Sequence, residues 1–271
     1  MPVGSITRGT TNTNRLRRVD RWIAELPILR STEDPLVVDL GYGASGVTAL
    51  ELQQRLAKAR RDIDVLGLEI EPGRVRTATE QLAAVRAGGT GFAPDARVSF
   101  ALGGFEVPVP QRRRPAVIRA FNVLRQYDES QVADAWALMT SRLQPGGLLV
   151  EGTCDEIGRV SSWVALSPDA PLSLTISLRL AGLEVPSIVA ERLPKALIHR
   201  NVPGERIHAL LAELDRAWRS NAPLSVYGPS QRWIAAVRML ADAGWPVRGG
   251  VRRWRLGELT VDWAAVAPLC R

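Results

Sequence analysis

Cysteine, histidine and lysine are nearly absent from this chain. Of its 271 residues only two are cysteine and two are histidine, and Lys58 and Lys195 are the sole lysines. Cys154 and Cys270 stand far apart and in no metal-ligand spacing, which argues against a disulfide framework and a structural zinc site. No G-x-S-x-G elbow occurs, so a Ser-His-Asp triad has no support. His199 and His208 are each read as a structural or surface residue, or as a general base for an oxygen or nitrogen nucleophile. No apolar run approaches the roughly 20 residues that span a bilayer, and no signal peptide is evident. A cytoplasmic protein without a membrane or metal partner is expected.

The scarcity of lysine makes the net charge of +7 almost entirely an arginine charge. With alanine, glycine, valine and proline so frequent, this is the codon bias of a GC-rich bacterial genome. The densest clusters are Arg15, Arg17, Arg18 and Arg21, then Arg112, Arg113 and Arg114, then Arg248, Arg252, Arg253 and Arg255. Each is read as a solvated face, with contact to RNA or an acidic substrate as the alternative. Aromatics that stack on bases accompany them only at Trp22 and Trp254. At 46% hydrophobic residues the chain has material for one large domain with an appendage.

What is present in quantity is glycine at one informative place. Val37-Val38-Asp39-Leu40-Gly41-Tyr42-Gly43-Ala44-Ser45-Gly46 reads as a buried strand breaking into a glycine turn that opens a helix. Glycine there lets the main chain approach a ligand closely, and the helix points free N–H groups at it. Just over 20 residues beyond Gly46, the strand Asp64–Glu69 ends in a carboxylate suited to both hydroxyls of a ribose. Asp39, two residues before the first glycine, would repel a pyrophosphate and suits a cationic group such as an amine.

Asp39-Leu40-Gly41-Tyr42-Gly43 resembles the first motif of the class I S-adenosylmethionine-dependent methyltransferases: an acidic residue, any residue, then a glycine-rich turn. The resemblance continues to about residue 155. Gln144-Pro145-Gly146-Gly147-Leu148 looks like the family's proline-glycine-glycine turn into its fifth strand, and Pro115–Leu124 like the fourth strand and the loop facing the substrate. It implies S-adenosylmethionine as cofactor, held around Asp39, Gly41, Tyr42, Gly43 and Gly46, by Glu69 and Ile70 after the second strand, by Gly104 and Phe105 after the third, and by Asn122.

The chain departs from the family pattern in two places. Its third glycine falls one position late, as in dinucleotide enzymes, which keeps an NAD(P)-dependent oxidoreductase as an alternative. Where the family commonly has an aspartate for the adenine amino group, this chain has Gly103-Gly104-Phe105-Glu106. Adenine recognition then falls to backbone near Gly104, to Glu106, or to packing on Phe105. That gap motivates a further alternative, a non-catalytic module binding an adenosine cofactor.

The first ten or so residues, small and polar, read as loose. Residues 14–26 carry Leu16, Val19, Ile23 and Leu26 on one helical face, and such a helix can lie across the cofactor mouth. Strands and helices then alternate to about residue 153, which implies a doubly wound, mostly parallel sheet. Two alternating segments, 159–166 and 172–180, make an antiparallel edge hairpin, giving seven strands. Beyond them, 202–218 and 229–243 read as helices, and 253–261 as a short strand or extended segment. The division expected is an arm and capping helix over 1–30, a cofactor-binding core over 31–181 and a helical extension over 182–271.

Methyl transfer from a sulfonium requires in-line alignment of a nucleophile and exclusion of water, without metals or covalent intermediates. This suits the sparse polar inventory. Catalytic candidates are Asn122, Arg119 and Tyr127. Asn122 sits at the carboxyl end of the fourth strand, where open sheets bind ligands, and is either a substrate-orienting amide or a turn residue. Arg119, inside an apolar strand, either pairs with an acidic neighbour or reaches a ligand carboxylate. Tyr127 and Arg125 are placed to face the same pocket. Trp22, Trp163, Trp218, Trp233, Trp245 and Trp254 read as packing residues. The acceptor is open, a small molecule being favoured over RNA.

Overall fold

The computed structural model of the protein describes residues 2–269. Cys270 and the side chain of Arg112 lie outside the described residues. In chain order the helices and strands begin with α1 (Arg17–Ile23), α2 (Pro27–Ser31), β1 (Leu36–Leu40), α3 (Val47–Leu56), β2 (Asp64–Glu69), α4 (Pro72–Arg86), β3 (Val98–Leu102), β4 (Val117–Phe121) and α5 (Val132–Thr140). They continue with β5 (Leu148–Cys154), β6 (Val160–Leu166), β7 (Pro171–Leu178), α6 (Lys195–Ile198), α7 (Arg206–Ser220), α8 (Pro229–Asp242), β8 (Val247–Arg248), α9 (Val251–Trp254) and β9 (Glu258–Asp262). The strands form one sheet in the order β3-β2-β1-β4-β5-β6-β7-β9-β8.

Nine strands rather than seven are therefore present among the described residues, and the hairpin of β6 and β7 does not close the sheet. The stretch from residue 182 on, read as a helical extension with a short strand or extended segment at 253–261, contributes β9, antiparallel to β7 with Thr175 opposite Thr260, and the two-residue β8 beside it. A two-residue strand leaves no alternation to read, and β9 is short.

Two compact units share the chain. The first holds residues up to Glu151 with Glu156–Gly158 and Leu166–Asp169; the second holds Gly152–Asp155, Arg159–Ala165 and the residues from Ala170 on. In the first, β1 lies between β2 and β4, parallel to both, and β3 is parallel to β2. All five residues of β1 are buried, as expected for a central strand of a parallel sheet covered on both faces. The face of α1 anticipated from its spacing is inside: Leu16, Val19, Ile23 and Leu26 are all buried, with α1 packed on α3. Helix α4 begins at Pro72 and is capped by Glu71, whose carboxylate accepts the Gly73 and Arg74 N–H groups at 2.8 Å each.

In the second unit α7 buries Ile207, Leu210, Leu211 and Leu214, a helical stripe. Trp218 and Trp233 meet edge to face at 6.1 Å between ring centres. Their indole N–H groups donate to the carbonyls of Glu184 at 2.9 Å and Glu258 at 3.1 Å, so both rings are core residues with satisfied polar ends.

Candidate functional site

The site is built at the carboxyl ends of β1, β2, β3 and β4, beside the point where the strand order reverses between β1 and β4. Open parallel sheets bind their ligands at such a crevice. Gly41 and Gly43 leave β1 with φ of +69° and +89°, left-handed values that other residues rarely adopt. A Cβ on Gly41 would lie 2.6 Å from Val123. Glu69, 1% exposed, closes the end of β2. Its carboxylate accepts the Gly43 N–H at 3.0 Å and the Ile70 N–H at 2.9 Å, with the Arg74 guanidinium at 3.6 Å. On the far side of the crevice Phe105 is buried and packs on Tyr127, ring centres 5.2 Å apart. The Gly104 N–H donates to the Glu106 carboxylate at 3.1 Å.

Three of the expected cofactor contacts have other employment. Asp39 is 2% exposed; its Oδ1 accepts from Arg119 Nε at 2.9 Å and its Oδ2 from Thr48 Oγ1 at 2.9 Å, so its charge is spent inside the protein. Gly46 gives its N–H to Gln81 at 2.9 Å, and a Cβ there would sit 2.4 Å from the Phe100 ring. It serves helix–sheet packing. Tyr42 turns its ring inward, edge-on to Phe100 at 5.1 Å. Its hydroxyl is buried without a hydrogen-bond partner among the described residues, and burial pushes its pKa up.

Arg119 is wholly buried and bridges Asp39 to Asp20 of α1. Burial works against its charge, but the two carboxylates hold its pKa above the ordinary arginine value. Burial raises the pKa of Asp20, opposed by Arg119 and Arg55. Arg55 extends the network to Glu51 at 3.2 Å and to Asn14 at 2.7 Å. The pairing reading of Arg119 is the one its surroundings match, and a guanidinium so engaged is left with no reach to a ligand. Asn122, directly after β4, has a left-handed backbone at φ +60°, a conformation asparagine tolerates in turns.

The residues before α1 form the feature not legible in the sequence. Instead of hanging loose, they run along the crevice as a strap. Val3 accepts the Phe105 N–H at 2.8 Å and donates to Glu106 at 2.7 Å. Ser5 donates to the Tyr127 hydroxyl, Thr7 accepts from Arg74 at 2.7 Å, and Gly9 accepts the Ala44 N–H at 2.8 Å. This strap, rather than α1, covers the mouth. The free space left among Leu40, Glu69, Ile70, Gly103 and Phe105 is about 20 Å³. A larger cavity of about 460 Å³ opens among Leu36, Asp64, Val98 and Arg113, at the opposite ends of the strands, where Asp64 is already bound to Arg97 and Arg113 at 2.8 and 2.9 Å.

The arginine clusters are largely engaged. Arg17 and Arg18 donate to the carbonyls of Ile157 and Gly158. Arg113 pairs with Asp34 and Asp64, and Arg114 donates to the carbonyls of Leu143 and Ser141. Arg248 pairs with Asp262, and Arg253 with Glu258. In the second unit His199 lies 3.2 Å from Lys195 Nζ and His208 3.3 Å from the Asn201 amide oxygen. Among the described residues no group of three or more histidine, cysteine or acidic side chains is placed to hold a metal, and no helix is long and apolar enough to cross a membrane.

No family model matches the chain and no curated protein matches it. Solved structures do. The CcbJ methyltransferase from Streptomyces caelestis is 19% identical, with a TM-score of 0.37 over 60% of this chain and 65% of that one. Magnesium protoporphyrin IX methyltransferase (ChlM) from Synechocystis PCC 6803, solved with bound SAH, is 16% identical, with a TM-score of 0.38 over 51% and 54%. Human N-acetylserotonin methyltransferase (ASMT), in complex with SAM, is 19% identical, with a TM-score of 0.36 over 53% and 36%. The chain spans less than two thirds of each of these proteins.

Proposed function

We propose that the crevice binds S-adenosylmethionine and that the protein transfers its methyl group to a small-molecule acceptor by in-line displacement. The observation carrying this reading is the placement of the Glu69 carboxylate at the end of β2, 3.0 Å from the Gly43 N–H of the glycine turn. A carboxylate there is placed for ribose hydroxyls, and the glycine cradle has no Cβ to obstruct them. Ile70 and Phe105 would supply an apolar wall for a purine, with Asn122 and Tyr127 serving the acceptor. The cofactor would bring a methyl group already activated by the sulfonium charge; the chain's share of the work is to orient the partners and exclude water. A small acceptor is preferred to RNA because so many cluster arginines are committed to carboxylates and carbonyls of the protein itself.

A second reading, an adenosine-cofactor module without turnover, is favoured by one observation: Asp39, the carboxylate expected to meet the cofactor amine, is saturated by Arg119 and Thr48. Isothermal titration with S-adenosylhomocysteine, with NAD and NADP in parallel, tests the cofactor. Saturable binding of S-adenosylhomocysteine alone is expected; binding of a nicotinamide nucleotide instead would defeat the methyltransferase reading. Methylation of a screened acceptor by the same preparation then separates enzyme from module.

A further inference from the structure

The strap and a cofactor compete for the same groups. The Phe105 and Ala44 N–H groups, one after β3 and one in the glycine turn, are both taken by strap carbonyls at 2.8 Å. The Tyr127 hydroxyl is taken by Ser5, and Arg74, the cation beside Glu69, is turned to Thr7. The backbone of Val3 passes so close to Gly104 that a Cβ on that glycine would lie 2.1 Å from the Val3 carbonyl oxygen. The space left, about 20 Å³, is room for about one water molecule. Small-molecule and cofactor sites run to several hundred Å³.

The strap is held by polar contacts and buries little apolar surface. Ile6 is 59% exposed and Val3 45%, so neither side chain anchors it in a core. Its firm attachment is at its far end, where the Asn14 N–H donates to both oxygens of Glu51 at 2.8 and 2.9 Å and the Asn14 side chain accepts from Arg55. Between anchor and crevice lies Gly9, at φ +72°, with its Cβ position 2.6 Å from the Arg74 guanidinium carbon.

We propose that residues 3–9 are a built-in competitor of the cofactor, a strap that must leave the crevice before an adenosyl compound can enter. The inference rests on the reading of the crevice as a cofactor site. Apparent affinity is then the intrinsic affinity reduced by the fraction of molecules with the strap open. Whatever stabilises the open strap activates the site, and whatever pins it shuts the site.

The test uses the full chain and two independent strap variants, Gly9→Val and Ser5→Pro. Valine is strained at the positive φ of Gly9 and would collide with Arg74; proline removes the N–H that Ser5 gives to Tyr127. Neither substitution alters a cradle residue on β1, β2 or β3. Titration with S-adenosylhomocysteine should show at least tenfold tighter binding by Gly9→Val than by the unmodified chain, and a gain in the same direction for Ser5→Pro. Hydrogen exchange of the unmodified chain should show residues 3–9 exchanging faster once S-adenosylhomocysteine is bound. Slower exchange of the strap on binding would make it a lid over the cofactor and overturn the proposal, as would variants that bind no more tightly. Failure of all three proteins to bind S-adenosylhomocysteine would defeat the cofactor reading and the proposal together, whereas equal binding by all three defeats the strap alone.

Discussion

Arg119 and Asp39 are register partners on the adjacent parallel strands β4 and β1, and the guanidinium grips both carboxylate oxygens, Nε to Oδ1 at 2.9 Å and Nη2 to Oδ2 at 2.6 Å. A bidentate pair of this kind fixes direction as well as distance. Because the same guanidinium also holds Asp20, the acidic residue at the head of the glycine turn is tied to α1, and through Arg55 to the root of the strap.

Arg119→Gln should destabilise the fold by about 3–5 kcal/mol, the usual cost of leaving buried carboxylates without their partner. The loss should depend on pH in a defined direction. Asp20 already has its pKa raised by burial, and removing Arg119 takes away a lowering influence. A carboxyl whose folded pKa exceeds its unfolded value binds more protons when folded, so stability rises as pH falls through that interval. Urea unfolding of both proteins at pH 7 and pH 5 should show the deficit shrinking in acid; a deficit that grows would contradict this account of the network.

Substitutions at Asp39 and Glu69 should separate. Asp39→Asn should register as lost stability, because its partners are Arg119 and Thr48. Glu69→Gln should cost stability too, since its carboxylate accepts the Gly43 and Ile70 N–H groups, but should in addition weaken S-adenosylhomocysteine binding by about 1.5–3 kcal/mol, the range for hydrogen bonds to a charged group. Thermal melts and titrations on the two variants check this, and an Asp39 variant that melts like the unmodified chain but no longer binds would return Asp39 to the cofactor.

The alternating architecture and the location of the crevice were legible because they rest on strong local signals: the fully buried β1, the Gly41–Gly43 turn, and the Pro72 start of α4 under the Glu71 cap. Glu69 could be placed at the end of β2 because a carboxylate closing a strand has a fixed position in such a sheet. The fate of Asp39 was not legible, since it depends on Arg119 lying opposite it, a register relation between residues 80 apart. The packing of Gly46 and Tyr42 was not legible for a similar reason. Phe100 crosses over Gly67, its register partner, and fills the space beneath both, so a glycine and a tyrosine of the motif are packing residues. The strap has no apolar period at all, and nothing in Val3–Gly9 signals where it docks.

Glu151 in β5 offers a test of burial independent of the crevice. It is fully buried, and burial pushes its carboxyl pKa up to about 8, so it holds a proton at neutral pH. Its folded pKa lies above the unfolded value, so it favours the fold fully only below about pH 4.5, with that advantage falling away as pH rises towards 8. Glu151→Gln, neutral throughout, should gain on the unmodified chain over this interval and level off above it. Melting temperatures at pH 5, 7 and 9 read the effect; a difference that stays constant would mean the carboxyl is ionised across the range.

Tyr42 gives the sharpest discrimination between a cofactor contact and a packing residue. Its ring is 4% exposed and packs on Phe100, while its hydroxyl is buried with no hydrogen-bond partner among the described residues. A desolvated hydroxyl without a partner costs about 1–3 kcal/mol by mutational measure, and phenylalanine keeps the ring while removing that cost. Tyr42→Phe should therefore hold or raise stability, by up to about 1 kcal/mol after repacking, and leave S-adenosylhomocysteine affinity unchanged, since the ring keeps its packing on Phe100. If the variant instead loses affinity at unchanged stability, the hydroxyl turns to the ligand once the strap has left, and Tyr42 belongs to the binding site after all.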